Sequence, residues 1–244
     1  MDCRDGITIL KNKGLYVDHV ITSPPYNLQT VIRAGSKALG RRRKIDYKDN
    51  MTEDEYFSFI SGVITGLLDI TKKYIFFNIQ PVSGNKRAVW RLFGLFEKYI
   101  KEVIIWKKTR YPPAVNTSVL SHNYEFIIVF DKNNSEKRAF DGIDFGRTGK
   151  MSTCWEGEQN DLFYKDSFNV DGLGAIFPRW LPTKIIENFT KKDEIILDPF
   201  SGAGTTALVA KELGRRYIGF EISETNVKSS KKRVETLTLI ENWL

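Results

Sequence analysis

With 244 residues, 41% hydrophobic and 13% aromatic, the chain has the composition of a globule large enough to bury a full core, which excludes a disordered tail or a small stapled scaffold. Its 37 Lys and Arg against 30 Asp and Glu leave a net charge of +7, which favours an anionic partner such as nucleic acid without requiring one. The sequence has no apolar run long enough to span a bilayer and no basic-then-apolar leader, so no membrane partner is expected. Two cysteines, Cys3 and Cys154, and two histidines exclude a disulfide framework and lack any structural-zinc spacing. A reducing, cytosolic setting and no metal are the expectations.

In chain order, a short helix-like segment over residues 7–11 leads into an apolar strand over residues 17–22. The strand ends in Thr22-Ser23-Pro24-Pro25-Tyr26-Asn27. Consecutive prolines stiffen the backbone and remove two N–H donors, so carbonyls here are free to accept hydrogen bonds from a ligand. Ser23 adds a hydroxyl acceptor and Tyr26 a flat ring. The result is a lip suited to a planar group that carries an amine, although the hexapeptide alone is equally a rigid loop. Residues 28–50 then lose all periodicity and crowd Arg33, Lys37, Arg41, Arg42, Arg43, Lys44 and Lys48 against Asp46 and Asp49. Beside a candidate site, such a long basic loop reads as a flap that contacts phosphates.

Thr52 and Glu55 form a capping box, and Tyr56, Phe59, Ile60, Val63, Ile64, Leu67 and Leu68 recur at helical spacing, which predicts a core helix. Strands are predicted over 74–79, 103–106 and 124–130, with a helix over 86–99. Helices alternating with short buried strands indicate an α/β chain with a mostly parallel sheet. Over residues 131–175 the alternation stops. The segment carries isolated aromatics at Phe140, Phe145, Trp155, Phe163, Tyr164 and Phe168, too many to stay solvated, and reads as an inserted small module or long loop. A helix around residues 182–190 restores the pattern.

Residues 194–206 then read as a buried strand ending in Asp198, the turn Pro199-Phe200-Ser201-Gly202-Ala203-Gly204, and a helix opening with Thr205-Thr206 that runs to Leu213 and stops at Gly214. A second strand over 217–220 ends in Glu221. This is the layout of a nucleoside-binding half-domain: the glycines let the backbone approach the ligand and the acid accepts from ribose hydroxyls. No Gly-Lys-Ser/Thr follows, so the turn is not a P-loop, and Gly-x-Gly-x-x-Gly is also absent.

With both motifs in view, the chain resembles the S-adenosylmethionine-dependent DNA amino-methyltransferases, and among them the β group, in which the catalytic motif precedes the cofactor motif. Residues 22–27 are similar to the family's Ser/Asp-Pro-Pro-Tyr motif and residues 198–206 to its Asp-Pro-Phe-x-Gly-x-Gly-Thr-Thr motif. Lesser likenesses lie at Phe177-Pro178 through Pro182 and at Ser121-His122-Asn123-Tyr124-Glu125-Phe126. The resemblance implies a seven-stranded, mostly parallel, doubly wound sheet, a Rossmann-like methyltransferase fold with one antiparallel strand. It divides the chain into a catalytic half over 1–130, a target-recognition insertion over 131–175 with help from residues 110–121, and a cofactor half over 176–244.

The resemblance assigns catalysis to Ser23, Pro24, Pro25 and Tyr26, and S-adenosylmethionine binding to Asp198, Phe200, Gly202, Gly204, Thr205, Thr206, Glu221 and Asp2. Ser23 and the Pro24 carbonyl would accept the hydrogens of an exocyclic amine on a base flipped from duplex DNA, and Tyr26 would stack on that base. Asn27, Arg33, Arg41, Arg42, Arg43 and Lys44 would hold the DNA. Ser at the first lip position favours cytosine N4 over adenine N6. An RNA methyltransferase and a binding protein without activity are the other classes. The resemblance further implies a prokaryotic or viral protein acting on nucleoid DNA in the cytoplasm, and admits a homodimer and a cognate restriction endonuclease. The family has a strand ahead of the pair that corresponds to Asp2-Cys3. Here either the sheet lacks one or residues 236–240 supply it, and any cofactor role for Asp2 depends on which.

Overall fold

The computed structural model describes residues 1–28, 50–111, 117–134, 137–158 and 177–241. Helix α1 (Cys3–Asn12) is capped by Asp2 and buries Cys3, Gly6, Ile7 and Leu10, one stripe at helical spacing. Strand β1 (His19–Thr22) is buried throughout. Helix α2 (Glu53–Ile70) starts at Thr52 with the expected reciprocal capping box to Glu55. Strand β2 (Tyr74–Ile79), helix α3 (Lys86–Leu95) with a following 3-10 turn (Glu97–Tyr99), strand β3 (Ile100–Lys108) and strand β4 (Tyr124–Asp131) complete the first half. Then come β5 (Cys154–Gly157), α4 (Trp180–Phe189), β6 (Ile195–Asp198), α5 (Thr205–Glu212), β7 (Arg216–Gly219) and α6 (Glu224–Glu241).

The strands form one seven-stranded sheet in the order β5-β3-β4-β2-β1-β6-β7, in which β4 alone runs antiparallel to its neighbours. The fold is thus the mostly parallel α/β sheet expected. Residues 236–240 do not supply a strand, because they continue α6. The seventh strand is β5, which joins the opposite edge, parallel to β3. It lies inside the segment that the sequence presents as irregular, so residues 154–157 belong to the main sheet.

Side chains alternate between two apolar layers, as the period of two in a strand requires. Val20, Ile75, Phe77, Ile128 and Phe130 pack with Ile60, Ile64 and Leu67 of α2 and Leu92 of α3. Ile21, Phe76, Ile104, Trp106, Ile127 and Trp155 pack with Ile185 and Ile186 of α4 and Val209 of α5. Helix α2 therefore returns β1 to β2 over one face, and α5 returns β6 to β7 over the other. The strand order reverses between β1 and β6. In open α/β sheets ligands bind at the carboxyl ends of the strands at such a switch point.

Candidate active site

Both sequence motifs fall at that crevice: the proline lip leaves the end of β1 and the glycine turn leaves the end of β6. A buried hydrogen bond ties them, with Thr22 Oγ1 donating to Asp198 Oδ1 at 2.7 Å. Asp198 also accepts from the Phe200 N–H at 3.1 Å and, through Oδ2, from Thr206 Oγ1 at 2.8 Å. Burial pushes its carboxyl up to about 6, against the pull of these three donors. Asp198 thus holds the turn together from inside, and Thr206, 2% exposed, is part of that scaffold.

The two turn glycines have different jobs. Gly202 has φ +50°, and a Cβ placed on it would meet nothing nearer than the Phe200 carbonyl at 3.9 Å, so one side of the turn is open. Gly204 has φ +76°, and its Cβ would lie 2.0 Å from Ser230 Oγ, so this glycine admits α6. Glu221, just past β7, accepts from the Gly202 N–H and the Ser223 N–H, each at 2.8 Å. Thr205 is buried in the first turn of α5, and the Phe200 ring packs edge-on against Phe59 at 6.1 Å.

At the lip, Tyr56 Oη donates to the Pro25 carbonyl at 2.7 Å and Asn85 Nδ2 to the Tyr26 carbonyl at 2.9 Å. The carbonyl of Pro24 accepts nothing among the described residues. Ser23 Oγ lies 3.1 Å from Tyr26 Oη, which donates to Glu125 Oε2 at 2.6 Å. Asn78 Nδ2 lies 2.7 Å from Tyr26 Oη, 2.6 Å from Glu125 Oε2 and 3.4 Å from Ser23 Oγ. Lys108 Nζ pairs with Glu125 Oε1 at 2.7 Å, both side chains almost fully enclosed. Tyr26 is partly exposed as a residue, and burial, with the Glu125 carboxylate second, raises its phenol well above the ordinary range.

The motifs missed Asn78 and Lys108, and Glu125 fell in the lesser likeness over residues 121–126 with no role assigned to it. Each continues the second apolar layer one step beyond Phe76, Ile127 and Trp106, so the layer turns polar at the carboxyl end of the sheet. The readable signal is a polar or charged residue at an inward position of an apolar strand. Asn78 Oδ1 has no partner among the described residues.

Two expected site residues are engaged within the chain. Asn27 is 2% exposed with φ +55°; its amide donates to the Met51 and Gly84 carbonyls at 2.8 and 2.6 Å and accepts from the Met51 N–H at 2.9 Å. It pins the lip to the starts of α2 and α3, and its side chain is not free for DNA. Asp2, expected at the cofactor, caps α1 by accepting from the Arg4 N–H at 2.8 Å and pairs with the Arg4 guanidinium at 2.9 Å, which holds its carboxyl below the usual range. Arg33, Arg41, Arg42, Arg43 and Lys44 lie outside the described residues. No group of three or more His, Cys, Asp or Glu that could hold a metal occurs among the described residues.

A family model described as DNA methylase, of the N6/N4 kind, matches residues 17–232. The type II methyltransferase M2.DpnII of Streptococcus pneumoniae is 34% identical over 161 residues, 63% of this chain and 59% of the relative. The chain thus spans about three fifths of that protein's length. The type II methyltransferase M2.MboI of Moraxella bovis is 24% identical over 233 residues, 91% of this chain and 82% of the relative. Among solved structures, PvuII DNA methyltransferase (cytosine-N4-specific) superimposes with a TM-score of 0.70 at 20% identity, covering 99% of this chain and 89% of that one, a likeness of fold.

Proposed function

Because the chain belongs to the N6/N4 DNA methylase family, we propose that it transfers a methyl group from S-adenosylmethionine to the exocyclic N4 amine of cytosine in duplex DNA. The Thr22–Asp198 bond carries this proposal, since it fixes an amine-accepting lip beside a nucleoside-type turn. The turn fits the cofactor: Gly202 keeps one side open, Glu221 presents a carboxylate to a ribose diol, and no Lys follows the glycines to demand a phosphate. Bound there, S-adenosylmethionine supplies an electrophilic methyl group on a sulfonium.

An exocyclic amine is a poor nucleophile because its lone pair is delocalised into the ring. Ser23 Oγ and the Pro24 carbonyl would each accept one amine hydrogen, which draws the nitrogen toward tetrahedral geometry and frees the lone pair. The rate gain comes from position and fixed dipoles. Tyr26, which is partly exposed, would stack on a flipped base. Asp198 and Thr206 act as positioning residues, and Glu221 and the Gly202 turn are the contact groups. Arg33, Arg41, Arg42, Arg43 and Lys44 would neutralise phosphates, while residues 110–121 and the part of 131–175 outside β5 would choose the sequence.

Ser23, where the resembled family also allows Asp, supports cytosine over adenine. Incubation with labelled S-adenosylmethionine tests the class of reaction. Label is expected in duplex DNA and not in single-stranded RNA. Cofactor binding with no transfer to either would leave a binding protein.

A further inference from the structure

The hydroxyl, amide and charged groups behind the lip form one hydrogen-bond chain whose protons have a single consistent arrangement. Glu125 Oε1 is 2.7 Å from the buried Lys108 ammonium, and Oε2 is 2.6 Å from Tyr26 Oη. A carboxylate so paired only accepts, so the phenolic hydrogen points to Glu125. Asn78 Nδ2 lies 2.7 Å from Tyr26 Oη and 2.6 Å from Glu125 Oε2, and because those oxygens are themselves 2.6 Å apart one amide hydrogen faces both. Turning the amide over would set its oxygen against the carboxylate, so this orientation is fixed. Tyr26 Oη then has its own hydrogen engaged and one lone pair left. Ser23 Oγ, at 3.1 Å, must be the donor to it. With that hydrogen directed inward, only lone pairs of Ser23 face outward.

We infer that the buried Lys108–Glu125 pair is a positioning device for the transfer: it fixes the direction of the chain Ser23 to Tyr26 to Glu125, so that Ser23 meets the target base as a hydrogen-bond acceptor only. This rests on the amine transfer proposed above and adds to it a reason for substrate class. An acceptor-only lip attracts an exocyclic amine and repels a ring carbonyl in the same place, which disfavours thymine and guanine at that position. Without Glu125 as acceptor, the serine hydrogen is free to point at the substrate, and half of the lip changes sign. Glu125 and Lys108 touch neither base nor cofactor in this arrangement.

A double-mutant cycle tests it, with single-turnover methyl transfer from labelled S-adenosylmethionine to long unmethylated duplex DNA as the rate and calorimetric cofactor binding as the second readout. Glu125→Gln puts an amide where the carboxylate was, and Tyr26→Phe removes only the relay oxygen. Each is expected to slow transfer on the order of 10- to 100-fold, the scale of a charge-assisted hydrogen bond, with cofactor affinity unchanged. The two losses should not compound, because both break the same chain; the double variant should be within about threefold of the slower single. Losses that multiply, or a near-normal rate in Tyr26→Phe, would overturn the inference. Tyr26→Phe alone decides the matter should Glu125→Gln fail to fold. Ser23→Ala separates this from the broader proposal: if it is slow while Tyr26→Phe is fast, the lip works and the relay does not. No transfer by the wild-type protein overturns both.

Discussion

At the residue scale, buried Asp198 and half-buried Glu194 pull the stability of the protein in opposite directions with pH. Asp198 rises from 3.8 to about 6 because it is buried, so the folded chain binds its proton more tightly than the unfolded chain. Stability therefore falls as pH rises from about 3.8 to about 6, by about 3 kcal/mol. Glu194 behaves otherwise. Burial pushes it up, but the donors His19 and Lys73 outweigh that and carry it from 4.5 down to about 2. Its contribution is fully present above 4.5 and is lost as pH falls toward 2. Burial also lowers His19 from 6.5, so the unfolded chain binds that proton more tightly and the His19 contribution to stability rises with pH up to about 6.5. Between pH 4.5 and 6 only the Asp198 slope remains of the two carboxylates. Denaturant unfolding across that window should show a pH slope in the wild type that is more negative than in Asp198→Asn, in which the His19 contribution is retained. Parallel lines in the two proteins would refute the burial argument.

At the scale of elements, the lip owes its shape to neighbours far away in sequence. Asn27 joins it to Met51 and Gly84, ahead of α2 and α3. Asn27→Ala removes these bonds and should cost about 2–4 kcal/mol in a thermal or denaturant melt. It should leave the salt dependence of DNA binding unchanged, whereas a DNA-contacting Asn27 would do the reverse. The cofactor turn depends likewise on α6. Gly204→Ala would drive its Cβ to 2.0 Å from Ser230 Oγ at a φ of +76°, and should weaken cofactor binding and lower the melting temperature. Adding Ser230→Gly removes the clash, so calorimetry should show cofactor binding partly restored, with about 1–2 kcal/mol of backbone strain remaining. No restoration would mean that Gly204 serves the ligand and not the helix.

These elements also mark how much could be read in advance. The lip and the glycine turn were legible because each is a contiguous run whose chemistry is local. The Thr52–Glu55 box was legible for the same reason. Asn78, Lys108 and Glu125 stand on three different strands, and only the sheet order β3-β4-β2 brings them together. Strand β5 escaped because four residues with one buried side chain, Trp155, carry no period; pairing with β3 makes it a strand. The bonds of Asn27 were not legible because its place in the motif gave no hint of the backbone groups that it satisfies.

At the scale of the whole molecule, the sequence concentrates the excess of positive charge between the lip and α2. Reversing Arg41, Arg42 and Arg43 together should weaken binding to duplex DNA and reduce the slope of log affinity against log salt by about 3, if each neutralises one phosphate. An unchanged slope would make that run an ordinary solvated face. Affinity would then be supplied elsewhere, and the lip, turn and relay would still face the same crevice.

The most direct test of what that crevice does is mass spectrometry of nucleosides from unmethylated DNA incubated with the protein and S-adenosylmethionine. N4-methylcytosine is the expected product, since Ser23 and the Pro24 carbonyl present acceptors to a cytosine amine. N6-methyladenine in its place would contradict the assignment of the base to Ser23. DNA free of any methylated amine, from a protein shown to bind the cofactor, would contradict the proposed transfer itself.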